Sequence, residues 1–232
     1  MARPVIGHRG AEMQEVIRDL VPRLRLLFGT RAGDVFLTAC SATGLWEAAL
    51  RNCVARRALV PVCGAFSERF YEIALEAGLV VERLDFPYGD TPRPEDVAKE
   101  GYAGLLLVHS ETSTGALADL PALARAFKEK NPEGLVGADM VTSLLVGEVA
   151  LEAMGVDAAA SGSQKGLMCP PGLGFVALSP RALERLKPRG YYLDLARELK
   201  AQKEGESAWT PAINLVRAVA AVLEAVLPRL EE

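Results

Sequence analysis

The chain has 232 residues, half of them hydrophobic and about a quarter charged, with a formal net charge of −4. This composition suits one large α/β domain, or one domain with a small appendage, with a buried core, and it excludes a basic stripe for nucleic acid. No run of about eighteen apolar residues is present to cross a membrane, so the expected partners are small molecules or other protein subunits.

The N-terminus, MARPVIGHRG, lacks an apolar targeting segment. Cys40, Cys53, Cys63 and Cys169 are scattered without zinc or redox spacing, which reads as reduced thiols in a cytoplasmic protein.

Residues 11–28 have the pattern of a helix, and beyond them apolar runs of strand length alternate with amphipathic segments of helix length. The strands are expected at 34–40 (DVFLTAC), 58–62, 79–84, 104–109 (GLLLVH), 135–139 (LVGAD), 156–160 and 174–178 (GFVAL). Helices are expected at 43–55, 66–77, 94–100, 118–130 and 149–154, then near 180–187, 192–204 and 211–230. The alternation predicts a three-layer αβα fold over 1–232 as a single domain, with a mainly parallel sheet of about seven strands and binding loops at the carboxyl ends of those strands. The final helix has an apolar side that nothing later in the sequence covers, which makes it a candidate contact for a partner subunit.

Four loops could carry chemistry. In SGSQKGLMCPPGLGF (161–175), Lys165 follows a strand and precedes a rigid Pro-Pro-Gly turn. A lone loop lysine is ordinarily a solvated charge, but one that is buried and held rigidly becomes an amine nucleophile. Asp139 ends the strand LVGAD and could be a plain helix cap, or the buried carboxylate that an electron-sink pyridine needs at its nitrogen. Ser41 and Thr43 in SATGLWEAAL open a helix, as an N-cap or as donors to a phosphate. VHSETSTG (108–115) clusters hydroxyls after a strand, as a turn or as hydrogen-bond donors to a cofactor oxygen, and His109 within it reads as structural.

Taken in order, GHR (7–9), the SATG–E turn (41–47), CGAFSERF (63–70), HSETSTG (109–115), ADMVTSL (138–144), GSQKGLMCPPGLGF (162–175) and TPAINL (210–215) resemble the class V, fold type I aminotransferases, which include serine–pyruvate, alanine–glyoxylate and aspartate aminotransferases. The resemblance implies pyridoxal 5′-phosphate held as a Schiff base on Lys165, which then shuttles a proton at the substrate Cα. It implies that Asp139 pairs with the ring nitrogen and that Val141 and Phe66 contact the two ring faces. Thr112 would sit near the phenolic oxygen, with Ser41, Ala42, Thr43 and Gln164 around the phosphate. Thr210 lies near the segment that reaches a neighbouring subunit's phosphate, although Trp209 and Glu206 depart from the family there.

The expected activity is amino transfer between a small amino acid and a 2-oxo acid, in a homodimer. The family's N-terminal arm and C-terminal small domain, with its carboxylate-clamping arginine, have no counterpart in the sequence, and Arg51, Arg56, Arg57 and Arg69 read as solvated charges. Impaired turnover is therefore expected, and the alternative is a truncated or engineered dimeric scaffold that binds the cofactor without efficient catalysis. A cysteine desulfurase would need a mobile cysteine, whereas Cys169 is locked beside two prolines. A nucleotide-binding dehydrogenase would need a glycine-rich fingerprint after its first strand, which is missing.

Overall fold

In the computed structural model, residues 4–53 and 56–229 are described. The last two residues of the helix expected at 43–55, the final residue of the one expected at 211–230, and the start of MARPVIGHRG lie outside them. Helix α1 (Ala11–Leu27) forms because Met13, Ile17, Leu20, Leu24 and Leu27 recur every three or four residues and make one buried stripe. Strand β1 (Asp34–Thr38), helix α2 (Ala42–Cys53), strand β2 (Arg57–Val62), helix α3 (Ala65–Glu76), strand β3 (Val80–Asp85), the short helix α4 (Pro94–Val97) and strand β4 (Gly104–Val108) follow. The hydroxyl cluster folds as a small hairpin of β5 (Ser110–Glu111) and β6 (Ala116–Leu117), which the sequence pattern did not suggest. Next come α5 (Leu120–Lys130), β7 (Leu135–Asp139), β8 (Ala158–Gly162), β9 (Gly174–Leu178), α6 (Pro180–Glu184), α7 (Leu195–Lys203) and α8 (Ile213–Val226).

Seven strands form one sheet in the order β1-β9-β8-β7-β4-β2-β3. Strand β9 is antiparallel to both neighbours and every other pairing is parallel. Strand β9 is therefore the single reversed strand, and the other six deliver their carboxyl ends to one edge. The sheet is mainly parallel, as expected, because runs such as GLLLV are apolar at successive positions and are buried on both faces. Leu105, Leu107, Val136 and Ala138 join α1, α5 and α8 in one core, while Leu106, Val108 and Leu135 join α2, α3 and α7 in the other. This is the three-layer αβα arrangement.

Two expectations need correction. Residues 149–154 are turns and coil, not a helix. The segment is barely longer than one helical turn, and its backbone is tied to the end of α1, with the Leu151 N–H donating to the Phe28 carbonyl at 2.9 Å. The apolar side of α8 is not left uncovered either, since Val216, Val219 and Leu223 are fully buried in the core that contains α1.

Candidate active site

A cavity of about 210 Å³ opens at the carboxyl edge of the sheet. Its walls come from the loops after β1, β2, β4, β7 and β8, where parallel strands end together. Eight of the nine residues singled out from the sequence line it: Ser41, Ala42, Thr43, Phe66, Asp139, Val141, Gln164 and Lys165. Thr112 does not. It is exposed on the turn of the β5-β6 hairpin, and Ser110 is the hydroxyl of that cluster that faces the cavity.

Lys165 is carried by a loop that Ser163 clamps shut. Ser163 is fully buried, and its hydroxyl donates to the Pro170 carbonyl at 2.6 Å. Its backbone N–H donates to Leu173 O at 2.9 Å and its carbonyl accepts from the Cys169 N–H at 2.9 Å. Gly166 is required by close approach, because a Cβ there would lie 2.3 Å from the Leu144 carbonyl oxygen. Hydrogen bonds and close packing thus tie the loop down, but Lys165 itself is exposed at the cavity wall and not buried.

Asp139 ends β7 and is oriented by two donors, the Val141 N–H at 2.9 Å and the Trp46 indole N–H at 3.3 Å. Burial pushes its carboxyl above the ordinary aspartate range, against the opposing pull of those two donors. Trp46 was missed in the sequence because its spacing on α2 marks it as core, which it also is: it packs against Phe70 with ring centroids 4.2 Å apart.

Two helices begin at the cavity. The first turn of α2 presents exposed Ser41 and Thr43 beside its free amide groups. The first turn of α3 presents Phe66, half-buried, and then Arg69, whose guanidinium lies 5.2 Å from the Phe66 ring centroid. Arg69 is solvent-exposed as expected, but it also lines the cavity, which the sequence reading did not foresee. His109 is buried behind this wall, with Nδ1 2.9 Å from the Ser143 hydroxyl, and burial lowers its pKa, so it is a neutral structural group. All four cysteines are free. Burial pushes Cys40 up to about 11 and Cys53 up to about 12, and it raises Cys63 and Cys169 as well.

Residues 79–226 match the protein family described as Aminotransferase class-V. The chain belongs to the class V aminotransferases. It is 38% identical to the soluble hydrogenase 42 kDa subunit of Anabaena cylindrica, over 94% of this chain and 60% of that protein. It is 34% identical to an uncharacterized aminotransferase of Methanocaldococcus jannaschii, over 98% of this chain and 61% of that one. The chain therefore spans about 60% of the length of the curated relatives it matches. Among solved structures it is similar to an aspartate aminotransferase of subgroup IV from Thermus thermophilus, with a TM-score of 0.97 and 81% identity over 99% of this chain and 66% of that one.

The cofactor of the family is pyridoxal 5′-phosphate, and the donor set of the cavity fits it. A carboxyl raised by burial, an aromatic wall, an amine and an open helix amino end with two hydroxyls meet in one space. Among the described residues no helix is long and apolar enough to cross a membrane.

Proposed function

We propose that this chain is the cofactor-holding domain of an aminotransferase that moves an amino group between a small amino acid and a 2-oxo acid, working in the cytoplasm as a homodimer. The observation that carries the reading is the meeting of Lys165, Asp139, Phe66 and the first turn of α2 in one cavity at the carboxyl edge of the sheet. When bound, pyridoxal phosphate supplies an aldehyde that links covalently to amines and a ring that accepts electron density.

Lys165 is the amine that attaches the cofactor, and its exposure leaves it accessible to an incoming amino group. Once displaced, it takes and returns the proton at the substrate Cα. Asp139 holds a proton at the ring nitrogen, a task suited to a half-buried carboxyl fixed by Val141 and Trp46. Phe66 and Val141, both on the cavity wall, would give the ring its apolar contacts. Ser41, Ala42, Thr43 and Gln164 receive the phosphate at the amino end of α2. Thr112 keeps the place near the phenolic oxygen that the family resemblance gave it, and Ser110, which lines the cavity, is a further hydroxyl beside it. A second copy of the chain suits the surface beside the lysine loop, where Met168 and Val146 are 80% and 71% exposed.

The test is borohydride reduction of the chain saturated with pyridoxal phosphate, followed by peptide mapping. The label should fall on the peptide containing Lys165. Label on a different lysine, or none with the cofactor in excess, refutes the reading.

A further inference from the structure

Glu111 is a carboxylate in an unusual place. It is 1% exposed. Among the described residues no cation lies within ion-pair distance of it. Its partners are instead the first turn of α3 and the hairpin. Oε2 accepts from the Ser67 N–H at 2.8 Å and from the Ser67 hydroxyl at 3.0 Å. The Phe66 N–H lies 3.2 Å from both carboxylate oxygens. Oε1 accepts from the Ser113 hydroxyl at 2.6 Å, and Ser113 in turn accepts from the Ala65 N–H at 2.9 Å. The carboxylate thus serves as a remote cap, supplied across the fold, for a helix whose own N-cap residue is Gly64, which has no side chain to offer.

The local sequence is shaped around this group. A Cβ at Gly64 would lie 2.4 Å from Glu111 Cδ and 2.4 Å from its Cγ. Gly64 has extended backbone, so what it provides is room and not an unusual conformation. Burial alone would raise the Glu111 pKa, but the bonds from Ser113, Ser67 and Phe66 outweigh it and hold the carboxyl below its ordinary value. The group is therefore an anion at neutral pH, seated at the positive end of α3. The amino end of α3 is already occupied from within the chain, whereas that of α2 stays open to the cavity. Glu111 also lies between two cavity walls, next to Ser110 in sequence and bonded to Phe66 in space.

We propose that Glu111 is the positioning residue of the aromatic wall: by plugging the amino end of α3 it fixes Phe66 over the cofactor ring and leaves α2 as the one helix end that receives the phosphate. The inference rests on the pyridoxal-phosphate reading of the cavity. It assigns Glu111 no contact with the cofactor and no part in proton transfer.

The test uses the 232-residue chain and its E111A, E111Q and F66A variants. Each is titrated with pyridoxal phosphate, and three quantities are read: the dissociation constant, the visible circular dichroism of the bound cofactor at saturation, and the unfolding temperature without cofactor. E111A and E111Q should bind roughly three- to tenfold more weakly, the worth of one aromatic stack, and should lose much of the visible dichroism. E111A added to F66A should cost no further dichroism, because the two act through the same ring. If E111A does not fold, E111Q, of nearly the same shape, gives the same readings. The proposal is overturned if the Glu111 variants keep the parent's affinity and dichroism while only the unfolding temperature falls, or if the double variant loses dichroism additively. Failure of the parent chain to carry label on Lys165 is a separate result, and it strikes the functional reading itself.

Discussion

Replacing Asp139 by Asn should move stability and cofactor affinity in opposite directions. The residue is half-buried at the cavity wall, its pKa is raised chiefly by burial, and it has two donors, the Val141 N–H at 2.9 Å and the Trp46 indole at 3.3 Å. An acid whose folded pKa lies above its unfolded value gives stability that is intact below the unfolded pKa and lost as pH rises through the folded one. At neutral pH the buried charge of Asp139 is thus a cost to the protein without cofactor. Asn keeps the Val141 bond through its carbonyl, gives up the weaker Trp46 bond and removes the charge, so D139N should unfold at a higher temperature than the parent when no cofactor is present. With cofactor the sign reverses. A hydrogen bond to a charged partner contributes about 1.5–3 kcal/mol, which corresponds to roughly ten- to a hundredfold in the dissociation constant. Thermal unfolding at pH 7 without cofactor and an absorbance titration with it measure the two halves. A D139N protein that is less stable than the parent and binds as tightly would refute both the electrostatic account and the assignment of Asp139 to the ring nitrogen.

Two further outcomes follow from buried polar groups. Ser163→Ala removes the 2.6 Å bond to Pro170 O and should cost about 1–2 kcal/mol. In a chain of this size that lowers the unfolding temperature by roughly 2–8 °C, and an unchanged value would show that the clamp on the lysine loop is not stabilising. Glu198 in α7 is 2% exposed, its Oε1 has no hydrogen-bond partner among the described residues, and burial pushes its pKa up to about 7. Protein stability should therefore fall as pH rises from the ordinary glutamate value of 4.5 to about 7, and Glu198→Gln should flatten that slope. Urea unfolding at pH 5 and pH 8 tests this, and an equal pH dependence in parent and variant would refute it.

How much of this was legible in the sequence depended on the range of the contact involved. Lys165 and Asp139 could be found because each follows its own strand, and the carboxyl edge of a parallel sheet gathers such positions whatever the tertiary detail. The covering of α8 could not be read, because its buried stripe meets α1, which precedes it by almost the whole chain. Arg69 looked like any charge on an amphipathic helix. Its place on the cavity wall depends on how the first turn of α3 is seated, and that seat is made by Glu111 from a different loop.

That Ser110 and not Thr112 lines the cavity has a sharper cause. In an extended segment successive side chains point to opposite faces, so a shift of one residue turns every group the other way. Ser110 faces the cavity, and Glu111 turns away from it into the amino end of α3. Thr112 shares Ser110's parity, but the chain has already left β5 for the turn, where alternation no longer applies and the side chain is exposed. A run of hydroxyls such as SETST states that donors are present but not where the strand ends, and here that one boundary decides which hydroxyl faces the cavity. The same boundary aims the carboxylate. The short hairpin therefore supplies a donor to the cavity wall and turns its acid into the amino end of α3, from where the Glu111 charge still helps to raise the Asp139 pKa.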